Sequence, residues 1–196
     1  MKILAVGCSF MCRREEVIPQ CEVMANELGA ELDNKSKSGN GNTHILYNTI
    51  DALYENSYDL VVVGWSNPLR WDYVTAPHKW FAVKLGDTLA SVNKPIDVDA
   101  SCFRHWSSKV VALSNYLRSN GIPFLMFNSL ECWSDGDTNF HKAIKSMPQF
   151  YDPEGCQIEH LRKNKQWFRE DDHHPNQESH NFYAKELLKK YRGLYK

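Results

Sequence analysis

Four short segments of this chain hold residues whose types and spacing could do chemistry. Gly7-Cys8-Ser9-Phe10 follows a short apolar run, which puts the Ser9 hydroxyl at a strand end facing a helix N-terminus. Ser9 is then either a nucleophile or a turn or N-cap serine. Ser38-Gly39-Asn40-Gly41-Asn42 precedes a helical pattern. Its glycines allow close backbone approach and outward-pointing N–H groups, or they simply turn the chain. Gly64-Trp65-Ser66-Asn67-Pro68 follows a second apolar run. An amide at a strand end can donate to an oxyanion, although Ser-Asn-Pro is also ordinary turn chemistry. The fourth segment is Asp171-Asp172-His173-His174-Pro175. Asp171, three residues before His174, can hold the ring's tautomer and leave the other nitrogen as a general base. Alternatively Asp171, Asp172, His173, His174 and His180 bind a metal, but no distant set of ligands with recognisable spacing accompanies them. A solvated polar loop is the plain alternative.

The elements that must position these segments are legible as alternating strands and helices. Lys2 to Val6 reads as a buried strand ending at Gly7. Val17, Cys21, Met24 and Leu28 recur at helical spacing before Gly29, with Pro19 tolerable only in the first turn. Ala30 to Asp33 is a candidate second strand. Asn42 or Thr43 can cap a helix carrying Ile45, Leu46, Ile50 and Leu53. Leu60 to Gly64 is uninterrupted and β-branched, as expected inside a parallel sheet. Phe103, Trp106, Val110, Leu113 and Leu117 step by three and four up to Gly121. Pro123 to Phe127 reads as another central strand, and Ala184, Leu187, Leu188 and Tyr191 as a last amphipathic helix. This alternation implies a parallel sheet with right-handed crossovers, whose ligands bind beyond the carboxyl ends of the strands. The four segments follow or flank these elements.

Composition narrows the field. At 196 residues and 42% hydrophobic, the chain fits one globular domain rather than disorder. A formal net charge of -1 argues against a basic face for nucleic acid. The apolar runs fall far short of the ~20 residues of a membrane span, and the N-terminal run is too short for a secretory signal. Six cysteines without a C-x-x-C pair favour reduced thiols in a cytosol-like compartment. The sequences G-x-x-x-x-G-K-[ST] and G-x-G-x-x-G are absent, which leaves a nucleotide-binding flavodoxin-like module little support.

The order of the four segments resembles the SGNH (GDSL-type) hydrolase family over nearly the whole chain. Asp171-x-x-His174-Pro175-Asn176, running into Glu178-Ser179-His180 and Ala184, is similar to the family's D-x-x-H-P block. Gly7-Cys8-Ser9 is similar to G-D-S with Cys8 for the usual Asp, and Asn34-x-x-x-Ser38-Gly39 to the second block. The third block departs: Gly64-Trp65-Ser66-Asn67 puts Ser66 where G-x-N-D has its Asn. This variant, with Pro68 and Arg70 following, also resembles SGNH-like proteins of tailed bacteriophages.

The resemblance implies a single three-layer α/β/α domain over 1–196. Its parallel sheet is flavodoxin-like with helices on both faces, and long inserted connections fall at about 65–100 and 129–170. It implies a serine esterase acting on a small or carbohydrate-linked acyl (acetyl) ester, with Ser9 as nucleophile, His174 as base and Asp171 orienting it. The Ser9 and Gly39 N–H groups with Asn67 would form the oxyanion hole, with Ser66 or Gly41 as fallbacks. No cofactor or metal is implied, and no nucleic-acid or membrane partner. The expected location is cytoplasmic, or a host cytoplasm or virion if the gene is phage-borne. The altered third block keeps a catalytically weak or inactive binding or assembly protein as the alternative. Trp65, Trp71, Tyr73, Trp80 and Phe81 crowd the first long connection. Trp133, Phe150, Tyr151, Trp167 and Phe168 crowd the second. These either stack on sugars or pack locally. His78, His105, His141 and His160 read as surface or packing residues. The near-neutral charge fits a small neutral ester better than a polyanion.

Overall fold

Alternate residues of a strand face opposite sides of its sheet, and here both sides are apolar, so the sheet must be covered twice. The computed structural model describes residues 1–75, 79–84, 98–132 and 138–196, with backbone alone at 73–75, 79–84 and 98. Strands β1 (Lys2–Gly7), β2 (Glu31–Asn34), β3 (Leu60–Trp65) and β6 (Phe124–Asn128) form one sheet in the order β2-β1-β3-β6. All its pairings are parallel, with Gly7 opposite Gly64 and Trp65 opposite Asn128. A parallel bridge from Met126 to Phe150 extends the sheet by one more short segment.

The two faces sort by residue parity. Leu4, Val6, Val61, Val63, Phe124 and Met126 pack with α2 (Asn42–Glu55), α3 (Val98–Ser119) and α4 (Asn139–Lys145), through Ile45, Trp106, Leu113 and Ile144. Ile3, Ala5, Leu60, Val62, Leu125 and Phe127 pack with α1 (Gln20–Leu28) and α6 (Gln177–Tyr195), through Met24, Ala184, Leu187 and Leu188. The result is a three-layer α/β/α architecture. Every residue of the predicted 103–117 stripe lies in the first core. No described helix is long and apolar enough to cross a membrane.

Several predicted boundaries move. Helix α1 starts at Gln20, with Pro19 as its extended N-cap at φ -68°. Val17 therefore falls outside it, in a tight turn paired with Arg14. Gly29 closes α1 in the left-handed region at φ +58°. The two long connections hold regular structure that periodicity did not reveal. The first carries the antiparallel hairpin β4 (Arg70–Thr75) and β5 (Lys79–Lys84). The second carries α4, α5 (Gln157–Asn164) and β7 (Trp167–Arg169), which pairs with β8 (Asp172–Pro175).

The N-cap of α2 is the clearest correction. Neither Asn42 nor Thr43 caps it; Gly41 occupies the cap position and offers no side chain. The missing acceptor comes from β4. The Asp72 carboxylate accepts from the N–H groups of Gly41 (2.8 Å), Thr43 (2.8 Å) and His44 (3.0 Å). A carboxylate at a helix N-terminus satisfies orphan donors and complements the helix dipole. Asp72→Ala is expected to cost about 1–2 kcal/mol, read as a lower urea midpoint.

Candidate active site

The site stands beyond the carboxyl ends of β1 and β3. Chain reversal after β1 is tight: Met11 N–H donates to Cys8 C=O at 3.0 Å and Cys12 N–H to Ser9 C=O at 3.3 Å, making a single 3-10 turn over Ser9–Met11. A side chain at either of the two facing glycines would force its neighbours to move. A Cβ on Gly7 would meet Met11 Sδ and the Gly64 carbonyl at 3.0 Å, and one on Gly64 would meet Met11 Sδ and Ser129 Oγ at 2.8 Å. Cys8, in place of an acid, is fully buried and packs with Phe10, Leu130 and Leu161. It behaves as a small hydrophobe. Asn34 ties the second segment to this turn, donating through Nδ2 to the Met11 carbonyl at 2.9 Å.

Ser9 Oγ lies 2.9 Å from His174 Nε2. The carboxylate on the far side of that ring is Asp172, not Asp171: Asp172 Oδ1 is hydrogen-bonded to His174 Nδ1 and accepts from the His174 backbone N–H at 3.2 Å. The reason is the strand. In β8, residues two apart share a face, so Asp172 and His174 project together. Asp171 is exposed in the turn between β7 and β8. His173 takes the opposite face and stacks on Trp167 at 4.8 Å. A three-residue spacing suits a helical turn, and the segment is not one.

Arg14 was not anticipated, although the Arg13-Arg14-Glu15-Glu16 cluster soon after Ser9 is a visible signal. Its Nη1 donates to Asp172 Oδ2 at 2.7 Å and its Nη2 reaches His174 Nε2 at 2.9 Å. A guanidinium only donates, so Nε2 is an acceptor here and the ring proton sits on Nδ1, facing Asp172. The hydrogen bonds thus hold His174 as a neutral base with its lone pair toward Ser9. Burial lowers the His174 pKa, its hydrogen bond to Asp172 opposes this, and the charges of Arg14 and Arg70 lower it further. Burial works against the Asp172 carboxylate, yet hydrogen bonding and charge from His174, with Arg14, hold it below its ordinary value.

The candidate oxyanion donors differ in availability. Gly39 adopts φ +81°, and among the described residues its N–H meets no acceptor. The adjoining Asn40 donates through Nδ2 to the Gly7 carbonyl at 3.1 Å, and Lys37 N–H to the same oxygen at 3.2 Å. Both bonds hold this loop against the end of β1. Gly41 is not a fallback, because its N–H is committed to Asp72. Asn67 Oδ1 accepts from Leu69 N–H at 2.8 Å, which leaves its amide nitrogen free to donate. That side chain lines a cavity of about 210 Å³ with Leu69, Phe103 and Cys132. Ser66 is fully buried. Its N–H donates to Asn42 Oδ1 at 2.8 Å, its carbonyl accepts from Asn42 Nδ2 at 3.0 Å, and among the described residues its hydroxyl has no partner. Asn42, missed as anything but a cap, braces the third segment.

The metal alternative finds no geometry. His174 faces Ser9, His173 faces Trp167, and His180 is buried against Gln20, whose N–H donates to its Nδ1 at 3.2 Å. Burial pushes the His180 pKa down to about 3. Among the described residues no group of three His, Cys, Asp or Glu side chains gathers as a metal site. All six cysteines are free. Trp65 and Phe150 are core residues rather than sugar platforms. His105 packs on Trp71, His141 on Phe103 and His160 on Phe182. His78 and Trp133 lie outside the described residues, as do the side chains of Tyr73, Trp80 and Phe81.

No family model and no curated protein matches this sequence. Solved structures do match in shape. TesA superposes at a TM-score of 0.60 with 13% identity, covering 99% of both chains. The esterase EstA from Pseudoalteromonas sp., solved inhibited by monoethylphosphonate, gives 0.58 at 10% identity, covering 98% of this chain and 97% of its own. Axe2, an acetylxylan esterase from Geobacillus stearothermophilus, gives 0.56 at 13% identity, covering 97% and 93%. A protein of the G-D-S-L family from Desulfitobacterium hafniense gives 0.54 at 11% identity, covering 96% and 98%. With its parallel four-stranded sheet between two helical layers, and with these matches running nearly end to end, the chain has the fold of the SGNH (GDSL-type) hydrolases.

Proposed function

We propose that this chain is a serine esterase that hydrolyses a small or carbohydrate-linked acyl ester, acetyl esters included, through an acyl-Ser9 intermediate. The observation that carries the reading is the continuous hydrogen-bonded series Ser9 Oγ, His174, Asp172 beyond the ends of β1 and β3. It supports an enzyme over a non-catalytic binding protein on the same scaffold. The esterases among the structural neighbours point the same way.

In this mechanism Ser9 Oγ attacks the ester carbonyl carbon as its proton passes to His174 Nε2. The carbonyl electron pair moves onto oxygen, where the Ser9 and Gly39 N–H groups and the Asn67 amide would receive it. Collapse breaks the bond to the alkoxy oxygen, which leaves as the alcohol with the proton from His174. A water then repeats the sequence on acyl-Ser9: it gives its proton to Nε2, attacks the acyl carbon, and releases the acid and free Ser9. Asp172 keeps Nδ1–H in place and stabilises the imidazolium at both stages.

A fluorophosphonate should label the wild type and leave Ser9→Ala unlabelled. Equal labelling of both would remove the assignment. On short p-nitrophenyl esters and acetylated glycans, Ser9→Ala and His174→Ala should each lower kcat by at least about 10³-fold, and Asp172→Asn by roughly 10²–10⁴-fold. Asp171→Asn should stay close to wild type. The opposite ranking of the two aspartates would restore the three-residue spacing.

The base must be neutral to accept the Ser9 proton, so kcat/KM falls as pH drops through the His174 pKa. Since that pKa is lowered, the acid limb should lie below about 6.5, the ordinary histidine value. Arg14→Gln removes a nearby positive charge and should move the limb to higher pH. A limb that stays in place would show that Arg14 does not act on the base.

A further inference from the structure

The charge around His174 does not balance. Arg14 reaches His174 directly at 2.9 Å, and the charge of Arg70 adds to the lowering of its pKa. One carboxylate, Asp172, meets Arg14, and its two oxygens are divided between His174 Nδ1 and Arg14 Nη1. Among the described residues, Arg14 Nε is buried without a partner. Among the described residues, Arg70, at the start of β4, has its Nη1 buried with no hydrogen bond and makes no ion pair. The nearby acid on its strand, Asp72, is committed to the N-terminus of α2. A guanidinium nitrogen removed from water without an acceptor is costly. A cation left this way beside a candidate nucleophile is best explained by an acceptor that arrives with the substrate.

The Arg14 contact gives that arrival a second effect. Nε2 of a neutral imidazole has one lone pair, and both Ser9 Oγ and Arg14 Nη2 are 2.9 Å from it. While Arg14 donates to that lone pair, the base is partly occupied. An anion that takes the Arg14 Nη2–H releases the lone pair for the Ser9 proton.

We infer that the ester this site takes carries an oxyanion group, a carboxylate or a phosphate, close to the scissile bond. Arg14 and Arg70 supply the donors that hold that group, and its binding draws Arg14 off His174. This deepens the esterase reading and rests on it. The near-neutral net charge of the chain is no obstacle, since a single anionic group is recognised by the local field rather than by the total.

The test uses matched esters that differ in the charge beside the acetyl group: O-acetyl-lactate against O-acetyl-lactamide, and acetylglycerol phosphate against acetylglycerol. The wild type should favour the charged member of at least one pair by tenfold or more in kcat/KM, and which pair responds tells carboxylate from phosphate. Arg70→Gln and Arg14→Lys should each erase most of that preference, chiefly through KM. Equal kcat/KM within both pairs would overturn the inference while leaving the esterase. So would an Arg70→Gln defect of the same size on charged and neutral esters, which would assign Arg70 to the transition-state oxyanion. A readout without turnover separates the two layers. Titrating free lactate or glycerol phosphate into the ¹⁵N-histidine-labelled protein should shift His174 Nε2, and Arg70→Gln should weaken that shift. If no ester is hydrolysed and Ser9 is not labelled, the esterase reading fails. The anion site then stands on this shift, and its absence would overturn the site as well.

Discussion

One lone pair, on His174 Nε2, governs the site. It meets Ser9 from 165 positions earlier in the chain, so nothing local can set the 2.9 Å between them. The parallel sheet sets it instead. The ladder joining β1 to β3 fixes where the Ser9 turn begins. Contacts between α1 and α6 across the second core fix where the C-terminal helix, and hence β8 before it, must lie. Tyr183, Leu187 and Leu188 on α6 share a buried cluster with Ile3 and Ala5 of β1, the strand that leads to Ser9. The apolar burial that stabilises the layers is therefore the same constraint that brings His174 and Ser9 together.

Around that constraint, departures from the family pattern are absorbed by neighbouring residues. The acid expected before the serine is Cys8, and its pocket is apolar: Phe10, Leu130 and Leu161 surround it. The third segment lacks Asn at the strict position, yet its backbone is held by the side-chain amide of Asn42, which bonds both the N–H and the carbonyl of Ser66. Asn42 can serve this purpose because Asp72 has relieved it of capping α2. The β4–β5 hairpin is thus structurally coupled to the candidate oxyanion loop, through Gly41, as well as presenting Arg70.

How much of this was legible follows from the range of the forces involved. Strands buried on both faces announce themselves as unbroken apolar runs, and Leu60 to Gly64 could be little else. The 103–117 stripe is a local period and was read residue by residue. Ser9 and His174 were legible from their places relative to strands. The choice between Asp171 and Asp172 was not, because it depends on whether the segment is a strand or a turn. That is settled by pairing with β7, a strand too short to show a period. The cap of α2 is not legible locally because its acceptor lies on a later hairpin. Arg14 could be seen as a charge but not as a contact, since its partners lie 158 and 160 residues away.

The loop carrying Arg14 shows which of its bonds matter. Two ion pairs join it to the β7–β8 hairpin: Arg14 to Asp172, and Arg169 to Glu15 at 2.6 Å. In the second pair both side chains are more than half exposed, and a surface pair of that kind contributes only about 0–1 kcal/mol. Glu15 also sits in the left-handed region at φ +47°, which costs a non-glycine residue on the order of 1–3 kcal/mol. The exposed pair at best offsets the strain, so the turn rests on the partly buried Arg14–Asp172 pair and on its own hydrogen bonds. What the turn does achieve is direction. By reversing the chain between Arg14 and Val17, with hydrogen bonds in both senses, it aims the Arg14 guanidinium at Asp172 and His174 rather than at solvent. A locally unfavourable backbone is thus kept where it places a cation against the His174 ring.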